Sequence, residues 1–235
     1  MKTYKELYLN GLTLRGYHHQ TNSKQCLIMF HGFTGNKTEV GYLFRKLSDR
    51  LEELTIDSVR FDYLGSGESD GLFSDMTLPS LKEQARLIIE FTKSHNYEEI
   101  YLLGFSMGGA LALNMMQGFD KTILLAPSIS FFTKHEKIQI PKLENGNYDL
   151  NGYELNKDLI SSFKKDYFEL ARKYHNPVLI IQGTNDQAVY YKGSEELSES
   201  FTDSTIKLIE NAGHTFENRE HYKLIDKYVT EFLKK

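Results

Sequence analysis

The chain contains a serine, an aspartate and a histidine whose side chains can together perform nucleophilic catalysis. In chain order they are Ser106, Asp186 and His214. Ser106 is the centre of Gly104-Phe105-Ser106-Met107-Gly108, which follows the apolar run Ile100–Leu103 and leads into a second apolar stretch. A Gly-x-Ser-x-Gly pentapeptide between a strand and a helix is typical of a nucleophile on a sharp turn. The pattern therefore predicts that the Ser106 hydroxyl is a nucleophile, exposed at the carboxyl end of a sheet.

A serine hydroxyl needs a base, and the base needs an acid that orients it. Asp186 lies just beyond the apolar run Val178–Ile181, and His214 lies beyond Ile206–Ile209, so both follow predicted strands. The sequence thus predicts a catalytic triad of Ser106, Asp186 and His214. Of the remaining histidines, His31 is expected to hold a loop through a backbone hydrogen bond. The others are expected at the surface: His18, His19, His95, His135, His175 and His221.

A tetrahedral acyl intermediate also needs two backbone N–H donors for its oxyanion. The residue after the nucleophile supplies one donor in this kind of site, and a loop after an early strand supplies the other. The N–H groups of Met107 and Phe33 fit these positions. Gly32 and Gly35, on either side of Phe33, let the backbone approach a substrate.

Short apolar runs typical of strands alternate with helical patterns along the chain. The runs are Ile28–Phe30, Val59–Phe61, Ile100–Leu103, Ile123–Leu125, Val178–Ile181 and Ile206–Ile209. Apolar residues at helical spacing predict a helix that begins after an N-cap at Thr77. The apolar stretch Ala110–Met116 is predicted to form a second, buried helix. Near the N-terminus, Tyr4–Leu9 and Leu12–Tyr17 are joined by Asn10-Gly11, which is a strong hairpin signal.

This order predicts the α/β class, with a mostly parallel central sheet flanked by helices and begun by an antiparallel N-terminal hairpin. No Pro-, Gly- or Ser-rich linker divides the chain, so residues 1–235 are expected to form one domain. Residues 128–159 break the alternation and combine apolar side chains with turn formers such as Asn151-Gly152. We interpret this stretch as a small inserted cap. Its aromatic residues and two positions near the triad are candidate substrate contacts: Gly32, Phe131, Phe132, Tyr148, Tyr153 and Val189.

Composition narrows the class of partner. The formal net charge of −4 disfavours a broad nucleic-acid surface, and no paired Cys or His spacing indicates a metal or other cofactor. Cys26, the single cysteine, can form no intrachain disulfide and is expected to be buried. No apolar stretch has the length of a signal peptide core or a membrane span, which predicts a cytoplasmic protein without stable membrane association. A homodimer through the cap rim is left open.

Together these motifs resemble the α/β-hydrolase superfamily along nearly the whole chain. The matching segments are His31-Gly32-Phe33, residues 61–69, residues 104–109, Gly183-Thr184-Asn185-Asp186 and Gly213-His214. Within the superfamily, the His-Gly-Phe-Thr-Gly-Asn loop and the Asp70-Gly71 pair are similar to bacterial cinnamoyl and feruloyl esterases and their carboxylesterase relatives. The resemblance implies a serine-dependent carboxylic-ester hydrolase that needs no cofactor and acts on a small-molecule ester. It also implies the same triad and the same two oxyanion donors.

Other functions remain open at this point. A monoacylglycerol lipase or a thioesterase would use the same triad, and a catalytically silent hydrolase-fold protein would bind without turnover. A nucleotide-binding P-loop is weakly mimicked by Gly32–Thr38 and by Asp62 after a strand. That loop requires a glycine immediately before its lysine, and Asn36 stands there before Lys37.

Overall fold

A computed structural model describes residues 1–129 and 140–235. Eight strands form one sheet in the spatial order β1-β2-β4-β3-β5-β6-β9-β10. In this sheet β2 pairs antiparallel with both β1 and β4, so β2 runs opposite to the other strands, while the six strands from β4 to β10 in that order pair in parallel. The strands are β1 Lys2–Leu9, β2 Leu12–His19, β3 Gln25–Phe30, β4 Asp57–Phe61, β5 Glu99–Phe105, β6 Lys121–Leu125, β9 Val178–Gly183 and β10 Ser204–Ile209.

Helices connect the parallel strands. They are α1 Leu43–Glu53, α2 Leu78–Lys93, α3 Met107–Met115, α4 Leu159–Ser162, α5 Tyr167–Arg172, α6 Tyr191–Ser200 and α7 Arg219–Leu233. Short 3₁₀ turns lie at Val40–Tyr42 and Phe73–Asp75, and a separate hairpin is formed by β7 Tyr148–Leu150 and β8 Tyr153–Leu155. The predicted fold class is therefore confirmed.

Local chemistry explains where these elements begin and end. Asn10 and Gly11 both have positive φ, 51° and 82°, as the tight turn between β1 and β2 requires. Thr77 caps α2 because its hydroxyl accepts the N–H of Ser80, while the Ser80 hydroxyl accepts the N–H of Thr77. The hairpin between β7 and β8 turns at Asn151-Gly152, where φ is again positive at both residues.

Two apolar cores lie on the two faces of the sheet. Successive residues of β3 alternate between them: Ile28 packs with α2 and α3, whereas Leu27 and Met29 pack with α1 and α7. Because both faces are covered, strands such as β9 are buried at every position. Cys26 is fully buried in the first core, as expected.

The surface positions expected for three histidines are wrong. His18 and His19 are 0% and 2% exposed, and His221 is also buried. The predicted second strand ended at Tyr17, but β2 continues through His19 and pairs there with Ser58 of β4. This pairing places both histidines inside the sheet. His175 is exposed as expected, and His135 lies outside the described residues.

Candidate active site

Ser106 lies on the turn between β5 and α3 in a strained backbone conformation, with φ 52° and ψ −116°. Hydrogen bonds on both sides hold it there. Its N–H donates to Leu125 O (2.9 Å), and its carbonyl accepts the N–H groups of Gly109 and Ser128. A non-glycine residue at positive φ costs free energy, and such strain concentrates at functional sites.

The glycines of the turn are required by close backbone contacts. A Cβ on Gly104 would lie 2.2 Å from the Gly108 carbonyl oxygen, across the turn. A Cβ on Gly108 would instead lie 2.0 Å from the carbonyl oxygen of Phe30, at the end of the neighbouring strand β3. Gly109 faces Pro127, in the loop after β6. The turn therefore packs between the ends of β3 and β6, the strands on either side of β5.

The structure brings the three predicted triad residues into one hydrogen-bonded chain. His214 Nε2 lies 2.9 Å from Ser106 Oγ, and His214 Nδ1 lies 2.7 Å from Asp186 Oδ2. An ionised carboxylate only accepts hydrogen bonds, so the His214 proton belongs on Nδ1. Nε2 is then the acceptor for the hydroxyl proton of Ser106.

Asp186 accepts hydrogen bonds from other donors besides His214. Its Oδ1 accepts the backbone N–H groups of Ala188 (2.9 Å) and Val189 (2.7 Å), and its Oδ2 also accepts Gln182 Nε2 (2.9 Å). The side chain is 0% exposed. Four N–H donors fix the position of the carboxylate and satisfy its charge in a site that water barely reaches.

Gln182 and Ser194 are two site residues that the sequence analysis missed. Gln182 is fully buried on β9, and its Oε1 accepts the hydroxyl of Ser194 on α6 (2.9 Å). This contact orients the amide so that Nε2 faces Asp186. A polar residue at the end of the apolar run Val178–Ile181 was the available signal.

The loop carrying His214 is packed against the end of β9. A Cβ on Gly183 would lie 2.2 Å from the carbonyl oxygen of Ala212, so only glycine allows this approach. Glu217 accepts the N–H of Gly213 (3.0 Å), and the His214 ring packs on Phe105 at 5.3 Å between ring centroids. These contacts restrict the imidazole to the side of the sheet where Ser106 lies.

The peptide bond between Gly32 and Phe33 has a fixed orientation. Gly32 O accepts His31 Nδ1 (2.9 Å) and Gly35 N–H (3.1 Å). In a trans peptide the N–H points away from the carbonyl, so the Phe33 N–H is directed away from His31. At the start of α3, the N–H of Met107 has no intrahelical acceptor, as in any first helical turn.

His31 has the structural contacts expected for it. Its Nε2 accepts the backbone N–H of Tyr63 (3.2 Å), while Nδ1 donates to Gly32 O. Complete burial lowers the pKa of His31 to about 4. The ring is therefore neutral near pH 7 and ties the loop after β3 to the loop after β4.

The other predicted substrate contacts lie in different surroundings. Gly32 is buried, Tyr153 is 43% exposed on the hairpin, and Tyr148 is half-buried against the first core. The Val189 side chain is 1% exposed, and its backbone N–H binds Asp186. Two further candidates lie outside the described residues: Phe131 and Phe132.

Phe73 links the loop after β3 to the hairpin, and the sequence carried no signal that singled it out. Its ring centroid lies 5.3 Å from that of Phe33 and 5.0 Å from that of Tyr153. The hairpin is also tied to this turn by Asn156 Nδ2, which donates to Ser74 O (2.9 Å). A row of three rings therefore runs from the loop after β3 to the hairpin of β7 and β8, which lies between β6 and β9 in the chain.

Within residues 1–129 and 140–235, no group of three or more His, Cys, Asp or Glu side chains is arranged to hold a metal ion. No helix in that part of the chain is both long enough and apolar enough to cross a membrane.

Comparison with known families agrees with this fold. The profile of the α/β-hydrolase-fold family matches residues 25–138, and the profile of a family described as TAP-like protein matches residues 161–235. The chain has the α/β-hydrolase fold.

Several relatives are esterases by name. A putative esterase/lipase of Mycoplasma pneumoniae is 24% identical, with 88% of each chain covered. A carboxylesterase of Bacillus subtilis is 20% identical over 90% of this chain and 93% of its own. Among solved structures, Est1E from Butyrivibrio proteoclasticus with bound ferulic acid superposes with a TM-score of 0.85, at 24% identity and 97% coverage of both chains. At this level of identity, structural likeness establishes the fold.

Proposed function

We propose that this protein is a serine hydrolase that cleaves carboxylic esters by two-step acyl transfer. The observation that carries the proposal is the continuous chain Asp186–His214–Ser106, with hydrogen bonds of 2.7 and 2.9 Å, on a strained strand-to-helix turn. Esterase and lipase relatives support the same reaction class.

In the acylation step, Ser106 Oγ attacks the ester carbonyl carbon while His214 Nε2 takes the hydroxyl proton. Asp186 keeps the other His214 proton on Nδ1 and stabilises the imidazolium. The oxyanion is bound by the backbone N–H groups of Met107 and Phe33, at the N-terminus of α3 and in the fixed Gly32–Phe33 peptide.

The intermediate then collapses to an acyl-enzyme as His214 returns its proton to the leaving alcohol. In deacylation a water molecule loses a proton to His214 Nε2 and attacks the acyl carbon. Collapse of the second tetrahedral intermediate gives the carboxylic acid and restores the Ser106 hydroxyl. Each step moves a proton only between atoms in reach of Nε2.

For the substrate, we propose an ester with an aromatic or other flat apolar acyl group. The row of rings formed by Phe33, Phe73 and Tyr153 offers faces for such a group beside residues 31–35, the loop after β3 that we call the oxyanion loop. The bound ferulic acid of Est1E, which shares the fold, supports this choice. In this proposal, residues 128–159 form a cap that contacts the acyl group through Tyr153.

An ester panel tests the proposal. Purified protein is assayed with p-nitrophenyl esters of increasing acyl length, methyl ferulate, a monoacylglycerol and an acyl thioester, each beside Ser106→Ala. We expect Ser106-dependent hydrolysis with the highest kcat/KM on methyl ferulate or a short aryl ester.

The same panel distinguishes the alternatives. A preference for the monoacylglycerol or the thioester would keep the mechanism and reject the aromatic acyl group. Hydrolysis that persists in Ser106→Ala, or that is absent for every substrate in the folded wild-type protein, would reject the mechanism itself.

A further inference from the structure

Glu39 is a buried carboxylate beneath the oxyanion loop, and the mechanism above does not use it. It lies in the loop between β3 and α1, yet it is only 6% exposed. Glu39 Oε1 accepts the backbone N–H of Gly32, and Glu39 Oε2 accepts the backbone N–H of the next residue, Val40 (3.0 Å). Both oxygens therefore bind backbone donors.

The backbone of Glu39 is strained. Its φ of 61° and ψ of 166° lie in a region that is essentially confined to glycine. Gly41 and Tyr42 also have positive φ, and a Cβ on Gly41 would lie 1.8 Å from Tyr222 Oη on α7. Strain of this kind persists only where the surroundings impose it. A glycine at position 39 would relieve this backbone strain. We infer that the contacts of the Glu39 carboxylate offset the strain.

The oxyanion loop is packed directly on this carboxylate. A Cβ on Gly35 would lie 2.6 Å from Glu39 Oε1, and a Cβ on Gly32 would lie 3.3 Å from the same atom. Gly32 is thereby held at both ends, with its N–H bound to Glu39 and its carbonyl bound to His31. Fixing both ends of one residue fixes the plane of the peptide that follows it.

The charge of Glu39 suits this contact. Burial raises the pKa of Glu39, while the N–H groups of Gly32 and Val40 oppose that rise. Since each oxygen accepts an N–H, the arrangement matches the ionised carboxylate, which has no proton to place.

We propose that Glu39 is a positioning residue that clamps Gly32 and so aims the Phe33 N–H at the oxyanion. This inference rests on the proposed function, because it assigns Glu39 a part in the same reaction. Glu39 touches no reacting atom and acts through the loop.

Glu39→Gly is the informative substitution because it removes the clamp and relieves the strain together. We expect a melting temperature equal to or above that of the wild type. We also expect kcat to fall at least ten-fold, with KM changed less than two-fold. The inhibition constant of a trifluoromethyl ketone analogue of the best substrate should rise by the same factor as kcat falls. Glu39→Gln, which keeps one oxygen acceptor, should give an intermediate kcat.

Thr55→Gly is the matched control. Thr55 also has positive φ (57°), and it is exposed before β4. Relief of strain there should raise stability without changing kcat. If folded Glu39→Gly keeps wild-type kcat, or if its kcat falls only in step with its stability, the proposal is wrong.

Hydrogen–deuterium exchange separates this proposal from the enzymatic one. The peptide covering residues 31–35 should exchange faster in Glu39→Gly than in the wild type, whether or not esters are hydrolysed. Unchanged exchange would contradict the clamp. A wild-type protein without Ser106-dependent hydrolysis would contradict the proposed function, while faster exchange in the variant would still support the clamp on the loop.

Discussion

Ser106, the proposed nucleophile, has a strained backbone. Its φ of 52° and ψ of −116° are held by hydrogen bonds to Leu125, Gly109 and Ser128, so the surrounding fold offsets the local cost. Each such residue costs about 1–3 kcal/mol. The strain belongs to the serine's backbone, and its removal can be measured apart from catalysis.

Two variants that both lack the proposed nucleophile isolate this strain. Glycine tolerates the conformation and alanine does not, although glycine loses more entropy on folding. We expect Ser106→Gly to be more stable than Ser106→Ala by about 1–2 kcal/mol, measured as the free energy of unfolding in urea. An alanine variant as stable as the glycine variant would contradict a strained turn.

Gln182 offers a test of how firmly Asp186 is held. Its amide donates to Asp186 Oδ2, and a hydrogen bond to a charged group contributes about 1.5–3 kcal/mol. Gln182→Met should therefore lower kcat by about ten-fold or more with little change in KM. Gln187→Met, an exposed change one residue beyond Asp186, is the control. Equal kcat values for the two variants would exclude a positioning role for Gln182.

The site residues that could be predicted carry a signal in the nearby sequence, and the missed residues Glu39 and Phe73 do not. Ser106, Asp186 and His214 follow strand ends in a fixed order, so the triad could be proposed from the chain alone. Glu39 and Phe73 act through contacts made in irregular loops, where no periodicity marks a partner.

At the scale of elements, the loops after β3 and β4 are joined by a buried ion pair. Lys37 Nζ lies 2.6 Å from Asp62 Oδ2, with the two side chains 7% and 0% exposed. Asp62 Oδ1 also accepts the backbone N–H of Lys37 (2.6 Å). These two residues are the ones that mimicked a nucleotide-binding loop in the sequence. In the structure Lys37 and Asp62 bind each other, so both residues have a role in holding the two loops together.

Removing the lysine should leave a buried charge without its partner. We expect Lys37→Met to lower the free energy of unfolding by about 3–5 kcal/mol. The exposed pair Lys24–Glu98, at 3.4 Å, provides the control, since Lys24→Met should cost less than about 1 kcal/mol. Urea unfolding measures both. Similar costs for the two variants would mean that the buried pair contributes no more than the exposed one.

The elements themselves were largely predictable. The Asn10-Gly11 turn, the Thr77 cap and the apolar runs of the parallel strands each carry a local signal, and each element is present. The length of β2 was not predictable, because its last residues are determined by antiparallel pairing with β4, forty residues further along the chain. The limits of the cap, residues 128–159, stay a prediction.

At the scale of the whole molecule, buried histidines make stability depend on pH. Burial lowers the pKa values of His18, His19 and His31 to about 4 each. Both ring nitrogens of His19 lack a hydrogen-bond partner among the described residues. In the unfolded chain these rings take up protons near pH 6.5. Between pH 6.5 and 4 the unfolded state therefore binds more protons than the folded state.

The sign follows from this difference. The contribution of the three neutral rings is fully present above pH 6.5 and is lost as pH falls towards 4. Each histidine adds up to about 1.4 kcal/mol per pH unit to the slope, so the three together add up to about 4. Urea unfolding at pH 7, 6 and 5 measures the slope. His18→Gln should reduce it, and the exposed His175→Gln should not. A flat profile would contradict the buried, neutral state of these rings.

The central claim, that Ser106 is the acyl-accepting nucleophile, is tested most directly by intact-protein and peptide mass spectrometry after reaction with a fluorophosphonate. We predict one adduct per chain on the peptide containing Ser106, much slower labelling of Asp186→Asn, and none in Ser106→Gly. Labelling of the folded Ser106→Gly variant at the wild-type rate, or an unlabelled wild-type protein, would contradict the account.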